Sequence, residues 1–345
     1  NGAKIGTNTK TIAEYLQEQG YRTFGFTGGN YVGKHYGFAK GFEQYESSDK
    51  QEIDGKRGFA NSLALAKEVI TSLSADENFF IFLHTFDIHC PYNPPEPYYS
   101  MFNTDGAEKI RTDECGNDFY NKRAITPNQV KYISDRYDGG IRQADDNLEK
   151  FISFLKESGK LEDTIIIITS DHGEEFHEHG KIGHQASLYR ELLSVPLIMY
   201  GPGIHPIKIN ETVSLVDIVP TALELLGLNT PSDVQGISLV PLMRGEKLDL
   251  PEHRFSELDR KVTLRSMINS ESHLIKNKKN KRLELFDLKD DPKEQNNIAD
   301  RKNDLVNDIV EEMDTFINNL GKKDIEQTAP KTDEQVEMLK SLGYL

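Results

Sequence analysis

The chain has 345 residues, with 56 acidic against 41 basic side chains and a formal net charge of −15. That balance excludes broad contact with DNA, RNA or anionic lipid, because phosphate recognition needs clustered Lys and Arg. No apolar stretch approaches the ~20 residues that cross a bilayer, so no membrane span is expected.

The apolar residues, 37% of the chain, gather in runs such as Phe79 to Leu83 and Ile165 to Ile168, as a packed core requires. The length fits one large α/β domain with an appendage, or two ordinary domains. Two cysteines, Cys90 and Cys115, cannot build a disulfide framework and form no CxxC, so they leave the compartment open. The chain begins at Asn1 with nothing like a signal peptide, and we expect it to be a processed or excised piece.

Thr11 and Glu14 have capping-box spacing, Ile12, Tyr15 and Leu16 share a face, and Gly20 supplies a stop: a short helix. Tyr21 to Phe26, ending at Gly28-Gly29, reads as strand then turn. A second helix covers Ala60 to Leu73. The continuous apolar run Phe79 to Leu83 suits a strand buried on both faces of a parallel sheet.

From Pro127 to about Ser158 apolar positions recur at spacings of three and four, which predicts one long amphipathic helix, bent at Gly139-Gly140 and ended by Gly159. Thr164 to Ile168 predicts a buried strand running into Thr169-Ser170-Asp171-His172-Gly173. Strand Val195 to Tyr200 and helix Ile218 to Leu226 follow. This alternation predicts an α/β fold, a mostly parallel doubly wound sheet with helices on both faces.

Past Arg254 the texture changes to short strands at Thr263 to Met267, His273 to Ile275 and Leu283 to Leu288, then a helix from Asp304 to Leu320. The basic run Lys276 to Arg282 lies between two of these strands and reads as a solvated hairpin tip. The expected division is a core over residues 1–253 and a small α+β subdomain with tail over 254–345.

Asp171 and His172 stand at the carboxyl end of the strongest strand, where ligands bind in open α/β sheets. The pair offers a carboxylate oxygen and an imidazole nitrogen to a divalent cation, and Gly173 lets the backbone turn beside it. Taken alone, a DHG tripeptide is as readily a loop sequence as a ligand pair. Its place at the strand end favours the ligand pair.

Downstream, His177, His179 and His184 accompany Lys181. Their spacings fit no closed zinc site, and His177 and His179 read as solvated loop residues. His184 is expected to fold back over the metal pair, where it could donate a proton or hold an anionic oxygen. His89 falls just past a second buried strand, so two strands deliver histidines to one rim. His84 reads as a core residue of that strand and Asp87 as a turn-forming carboxylate. Cys90 is adjacent to His89, but neighbouring residues rarely aim their side chains at each other, which disfavours a Cys-His nucleophile.

The stretches FFIFLHTFDIHCPY (79–92), TSDHGEEFHEHG (169–180), GHQASLYRELLSVPLIMYGPG (183–203), DIVPTALELLGL (217–228), VQGISLVPLMRGE (234–246) and LELFDLKDDPKEQNNIAD (283–300) occur in an order that resembles the sulfatases of the alkaline-phosphatase superfamily. TIAEYLQEQGYRTFGFTGG (11–29), YGFAKGFEQY (36–45) and the final MLKSLGYL (338–345) are similar to that family too, so the resemblance covers nearly the whole chain. It implies an alkaline-phosphatase-like fold and hydrolysis of a sulfate ester, with Asp171 and His172 as metal ligands. His89 and His184 would contact the sulfate or the leaving-group oxygen, and Lys181 joins the catalytic candidates.

The implied cofactor is one divalent ion. Calcium is the family's usual choice, and a nitrogen ligand also suits manganese or zinc. The implied substrate is a sulfated small molecule or glycan. The resemblance leans to a bacterial periplasmic or extracellular address. Two departures stand out: Thr27-Gly28-Gly29-Asn30 occupies the place of a Gly-Lys-Trp-His, with Lys34 and His35 slightly later, and His172 stands where many calcium sulfatases have Asn.

The family's first aspartate pair and its C/S-x-P-x-R segment, whose Cys or Ser becomes the formylglycine nucleophile, are absent. We therefore expect a truncated chain that binds metal weakly and exposes a sheet edge or apolar groove favouring homo-oligomers. Alternatives within these expectations are a phosphodiester or phosphonate ester hydrolase or phosphoryl transferase of the same superfamily, and a catalytically inactive binding domain.

Overall fold

A computed structural model describes residues 4–28, 32–47, 58–112, 124–184, 186–259 and 262–320. Gly29, Asn30, Cys115 and the tail from 321 onward lie outside the described residues. The chain divides into two compact units, one built from Gly2–Leu161 with Gly180–Gly183, the other from Glu162–His179 with His184–Lys322.

In the first unit, helix α1 (Ile12–Glu18) starts at the predicted capping box. Thr11 Oγ1 accepts from Glu14 N at 3.2 Å, and Glu14 Oε2 accepts from Thr11 N at 2.9 Å. Strands β1 (Arg22–Thr27), β2 (Gln44–Ser47) and β3 (Phe79–His84) form a parallel sheet in the order β2-β1-β3. β2, with its polar QYES sequence, carried no strand signal. The expectation that β3 is buried on both faces is corrected: all six of its residues are half-buried, and among the described residues it pairs with β1 alone.

Helix α2 (Phe59–Ser72) precedes β3, and a single turn, α3 (Tyr98–Met101), precedes the long helix α4 (Pro127–Glu157). α4 is unbroken over 31 residues, with its own capping box at Thr126 and Gln129 and Pro at the first position. Gly139-Gly140 therefore serves close approach, where a bend was expected. A Cβ on Gly139 would stand 2.4 Å from the Tyr98 carbonyl oxygen, and one on Gly140 would stand 3.0 Å from that of Asp87. Arg136 lies over the rings of Tyr99 and Tyr132, 4.7 Å from each centroid.

In the second unit, β4 (Ile166–Thr169) is followed by the two-residue strand β5 (Glu175–Phe176). After β6 (Ile182–Gly183), which belongs to the first unit, come a single turn α5 (Arg190–Leu193) and β7 (Leu197–Tyr200). β7 runs antiparallel to β4, so this strand departs from the parallel alternation. Ile198 and Tyr200 on β7 are exposed.

Helix α6 (Ile218–Leu225) begins beside the buried Asp217, whose carboxylate accepts from Ser214 N and Ile237 N, each at 2.9 Å, with Arg254 Nη2 at 3.4 Å. After the turn α7 (Val240–Met243), an antiparallel sheet in the order β11-β10-β9-β8 is built from β8 (Arg254–Asp259), β9 (Thr263–Ile268), β10 (Ser272–Asn277) and β11 (Leu283–Asp287). Residues 278–282 form the basic hairpin tip as expected.

Alternation decides what each face of this sheet covers. Met267, Leu274 and Leu285 pack against Val306, Ile309 and Met313 of helix α8 (Asn303–Asn319). Leu264, Ile275 and Phe286 pack with Leu188, and Tyr189 and Leu193 close over that cluster. The segment carrying α5 is thus held on one face of the sheet and α8 on the other.

Candidate active site

β4 ends at Thr169, and the next four residues turn away from the strand. Ser170 Oγ donates to the His172 carbonyl oxygen at 2.7 Å, and His172 N donates to Asp171 Oδ1 at 3.1 Å. Gly173 N donates to the Leu192 carbonyl oxygen at 2.9 Å, and a Cβ at position 173 would stand 2.0 Å from the Glu191 carbonyl oxygen. Gly173 is therefore demanded by the closeness of the α5 backbone, a different reason from the turn expected of it.

The Asp171 side chain is 73% exposed, with Oδ2 at 3.7 Å from His172 Nε2. His172 Nδ1 faces the Gly173 carbonyl oxygen at 2.9 Å. A carbonyl oxygen can only accept, so Nδ1 carries a hydrogen and Nε2, on the side of the Asp171 carboxylate, is the ring atom placed to ligate. Two lone-pair donors on one side, one imidazole held in the ligating tautomer by its own backbone, fit a divalent cation. They supply two ligands only, where calcium takes six to eight.

His184 returns to this pair as expected: its ring stacks on His172 with centroids 3.9 Å apart and planes 26° apart. Its Nδ1 lies 2.7 Å from Glu174 Oε1, and both side chains are nearly fully buried. Glu174 was not singled out in the sequence. The signal was only that two glutamates follow the DHG, and that neighbours in an extended strand point to opposite sides. Glu174 turns to His184, whereas Glu175 accepts from Ser187 Oγ and from the His179 amide, each at 3.1 Å.

The first unit holds the other candidates. His89 follows β3, with Nδ1 at 2.5 Å from the Cys90 carbonyl oxygen and its ring against Phe86. Lys181 is half-buried in the segment Gly180–Gly183. Cys90 is disulfide-bonded, which removes it as a thiolate nucleophile. His84 Nδ1 donates to the Gly28 carbonyl oxygen at 2.9 Å, as befits a satisfied strand residue. Asp87 is half-buried and caps α2 by accepting from Phe59 N at 3.1 Å; desolvation raises its carboxyl above the usual range, though that hydrogen bond draws it down. Lys34 and His35 sit in one short turn, with the His35 ring against Tyr36.

His177 is exposed as expected, with φ 72°. His179 corrects the reading of a solvated loop residue. It is 11% exposed, stacks on Tyr189 at 3.6 Å, and bonds Glu191 Oε1 through Nδ1 at 2.7 Å. His253 likewise pairs with Glu312 at 2.7 Å while Asn269 Nδ2 donates to its other nitrogen at 3.0 Å.

A model of the sulfatase family matches residues 2–228, about two thirds of the chain. The chain belongs to the sulfatase family. A second model, for the C-terminal part of N-sulphoglucosamine sulphohydrolase, matches residues 178–323. Arylsulfatase K of Bos taurus is 29% identical over 239 residues, covering 65% of this chain and 41% of that protein. The chain thus spans about two fifths of the length of the curated relatives it matches.

Among solved structures, BT4656 in complex with its substrate D-glucosamine-2-N,6-O-disulfate matches with a TM-score of 0.72 and 20% identity, covering 92% of this chain and 84% of that one. The phosphonate monoester hydrolase of Agrobacterium radiobacter matches with 0.74 and 18% identity over 95% and 86%. These likenesses show that the chain has the sulfatase and phosphonate-hydrolase fold. The DHG at 171–173 follows β4, and the LELFDLKDDPKEQNNIAD stretch forms β11 and the turn that meets His179.

Proposed function

We propose that this chain supplies the metal pair and the leaving-group histidine of a sulfate-ester hydrolase. The observation that supports it most is the stack of His184 on His172, with Asp171 Oδ2 at 3.7 Å from His172 Nε2, at the carboxyl end of β4. Family membership supports sulfate over other esters.

Asp171 and His172 would hold the cation, and a divalent cation there supplies charge stabilisation for the equatorial oxygens in the transition state. Calcium is the proposed ion, with manganese or zinc as outcomes of metal analysis. Glu174 orients His184 through Nδ1, so that Nε2 is the atom that gives a proton to the departing alcohol or binds the anionic oxygen. His89 and Lys181 are proposed to contact the sulfate. The 345 residues contain no C/S-x-P-x-R, and a formylglycine-type nucleophile is proposed to come from such a segment outside them.

A sulfated small molecule or glycan is the proposed substrate. The disulfide at Cys90 supports an oxidising compartment, periplasmic or extracellular.

The test compares 4-nitrophenyl sulfate, whose leaving group departs without protonation, with a sulfate ester of a poorly acidic alcohol, using the intact enzyme and its His184→Ala variant. The proton-donor role predicts a selective loss on the poor leaving group. Equal losses would assign His184 to anion binding alone. Faster turnover of a phosphonate monoester than of either sulfate would overturn the sulfatase reading.

A further inference from the structure

His179 is enclosed by acceptors. Nδ1 lies 2.7 Å from Glu191 Oε1 in α5, and Nε2 lies 3.0 Å from the backbone carbonyl oxygen of Glu294. A carbonyl oxygen cannot donate, so Nε2 carries a hydrogen. A carboxylate cannot donate either, so Nδ1 carries the second. Gln295 Nε2, 3.3 Å away, uses its hydrogens on the carbonyl oxygens of Glu178 at 3.2 Å and Lys293 at 3.0 Å.

The Tyr189 ring lies flat against the imidazole, 13° from parallel, and presents a π-face to the charge. We propose that His179 is a buried imidazolium that clips the loop from Asp171 to His179 onto α5 and the Glu294 turn, and so acts as a positioning residue for the metal pair and for Glu174. The positioning role rests on the assignment of that loop as the metal site, whereas the charge state does not.

Three segments meet at this ring. The loop contributes Glu175, which accepts from the His179 amide at 3.1 Å and adds a second negative charge. α5 contributes Glu191. The turn contributes Glu294, at φ 57° and 2% exposed, a strained backbone held from both ends. Its carbonyl faces His179, and its carboxylate takes His273 Nδ1 at 2.5 Å and Arg190 N at 2.8 Å. Tyr189 stays neutral, its hydroxyl pushed further up by burial and by Glu284.

Burial alone would push the His179 ring down. The Glu191 and Glu294 hydrogen bonds and the charges of Glu191 and Glu175 outweigh it and raise the ring above its ordinary value. A group raised in the folded state contributes its stability fully below the unfolded pKa, about 6.5 for His, and loses it as pH rises through the folded value. The clip is therefore closed in acid and opens as pH rises through the raised value of the ring. Burial also raises Glu191, so a proton on that carboxyl with a neutral ring is the competing arrangement.

Imidazole nitrogen NMR of the labelled chain separates the two, together with amide-exchange protection of Gly173 to His179 across the same pH series. The proposal expects both His179 nitrogens protonated at about pH 7, and protection that falls with the same midpoint as the ring. Glu191→Gln should lower that midpoint by about one unit or more, and His179→Gln should leave protection low at every pH. If His179→Gln does not fold, the wild-type and Glu191→Gln titrations still decide. A neutral ring at about pH 7, or protection indifferent to its titration, overturns the proposal. Neither readout involves turnover, so failure of the sulfatase reading is distinguishable from failure of the clip.

Discussion

Glu174 Oε1 lies 2.7 Å from His184 Nδ1, and with side-chain exposures of 5% and 9% the two groups are shut away from water together. A buried carboxylate facing one ring nitrogen fixes the tautomer and aims the other nitrogen, much as outer partners orient metal-bound histidines. Glu174→Ala should lower turnover of poorly activated esters by roughly 10- to 100-fold, the usual cost of losing such a partner. Glu174→Gln, which keeps an acceptor oxygen, should lose less. Steady-state rates on activated and unactivated esters check this; equal rates for Glu174→Ala and wild type would remove the orienting role.

Asp171→Ala and His172→Ala should each weaken metal binding by more than about tenfold. Asp171 is exposed and His172 half-buried, and neither belongs to an apolar cluster, so melting should change little in the metal-free state. Bound-metal analysis and thermal melting on the same samples are the check, and full occupancy in both variants would exclude them as ligands.

Gly173→Ala places a Cβ 2.0 Å from the Glu191 carbonyl oxygen, backbone against backbone, with no flexible side chain to yield. The 171–175 loop must lift from α5, breaking the Gly173 N to Leu192 O hydrogen bond. A loss of about 1–3 kcal/mol is expected by analogy with overpacked cores, read from denaturant unfolding. Gly180→Ala, with nothing within 4 Å of its new Cβ, is the contrast for space alone, since its φ of 85° also disfavours Ala.

Asp87→Asn tests a carboxyl raised by burial. The wild-type group contributes most stability when protonated, below about 3.9, the unfolded value, and loses it as pH rises through the raised folded value. The Asn variant keeps an acceptor for Phe59 N without a charge to desolvate. Its stability relative to wild type should therefore be greatest near neutrality and shrink as pH falls, which urea midpoints across the pH range would reveal. A difference that is flat with pH would mean that Asp87 is not desolvated.

Much of the architecture was legible in the residues because it is written in local periodicity. The capping box at Thr11, the long run of α4 and the apolar strands β3 and β4 each draw on neighbours within a few positions. The polar β2 and the strand β8 escaped, since their partners are distant and their own sequences do not alternate clearly. Asp171, His172 and His184 were legible as candidates because a strand end is a local feature and the family motif surrounds it.

What only the tertiary structure decided are relations between residues far apart in the chain. No periodicity announces that Glu174 serves His184 ten positions on, or that His179 meets the backbone of Glu294, 115 positions away. The same holds for the two glycines of α4, whose missing side chains answer to Tyr98 and Asp87. The sequence by itself determined which elements form and which strand end presents the candidate ligands, because helix and strand propensities are short-range. Which groups share a proton, and which backbones touch, depends on long-range packing, and there the folded chain alone supplies the answer.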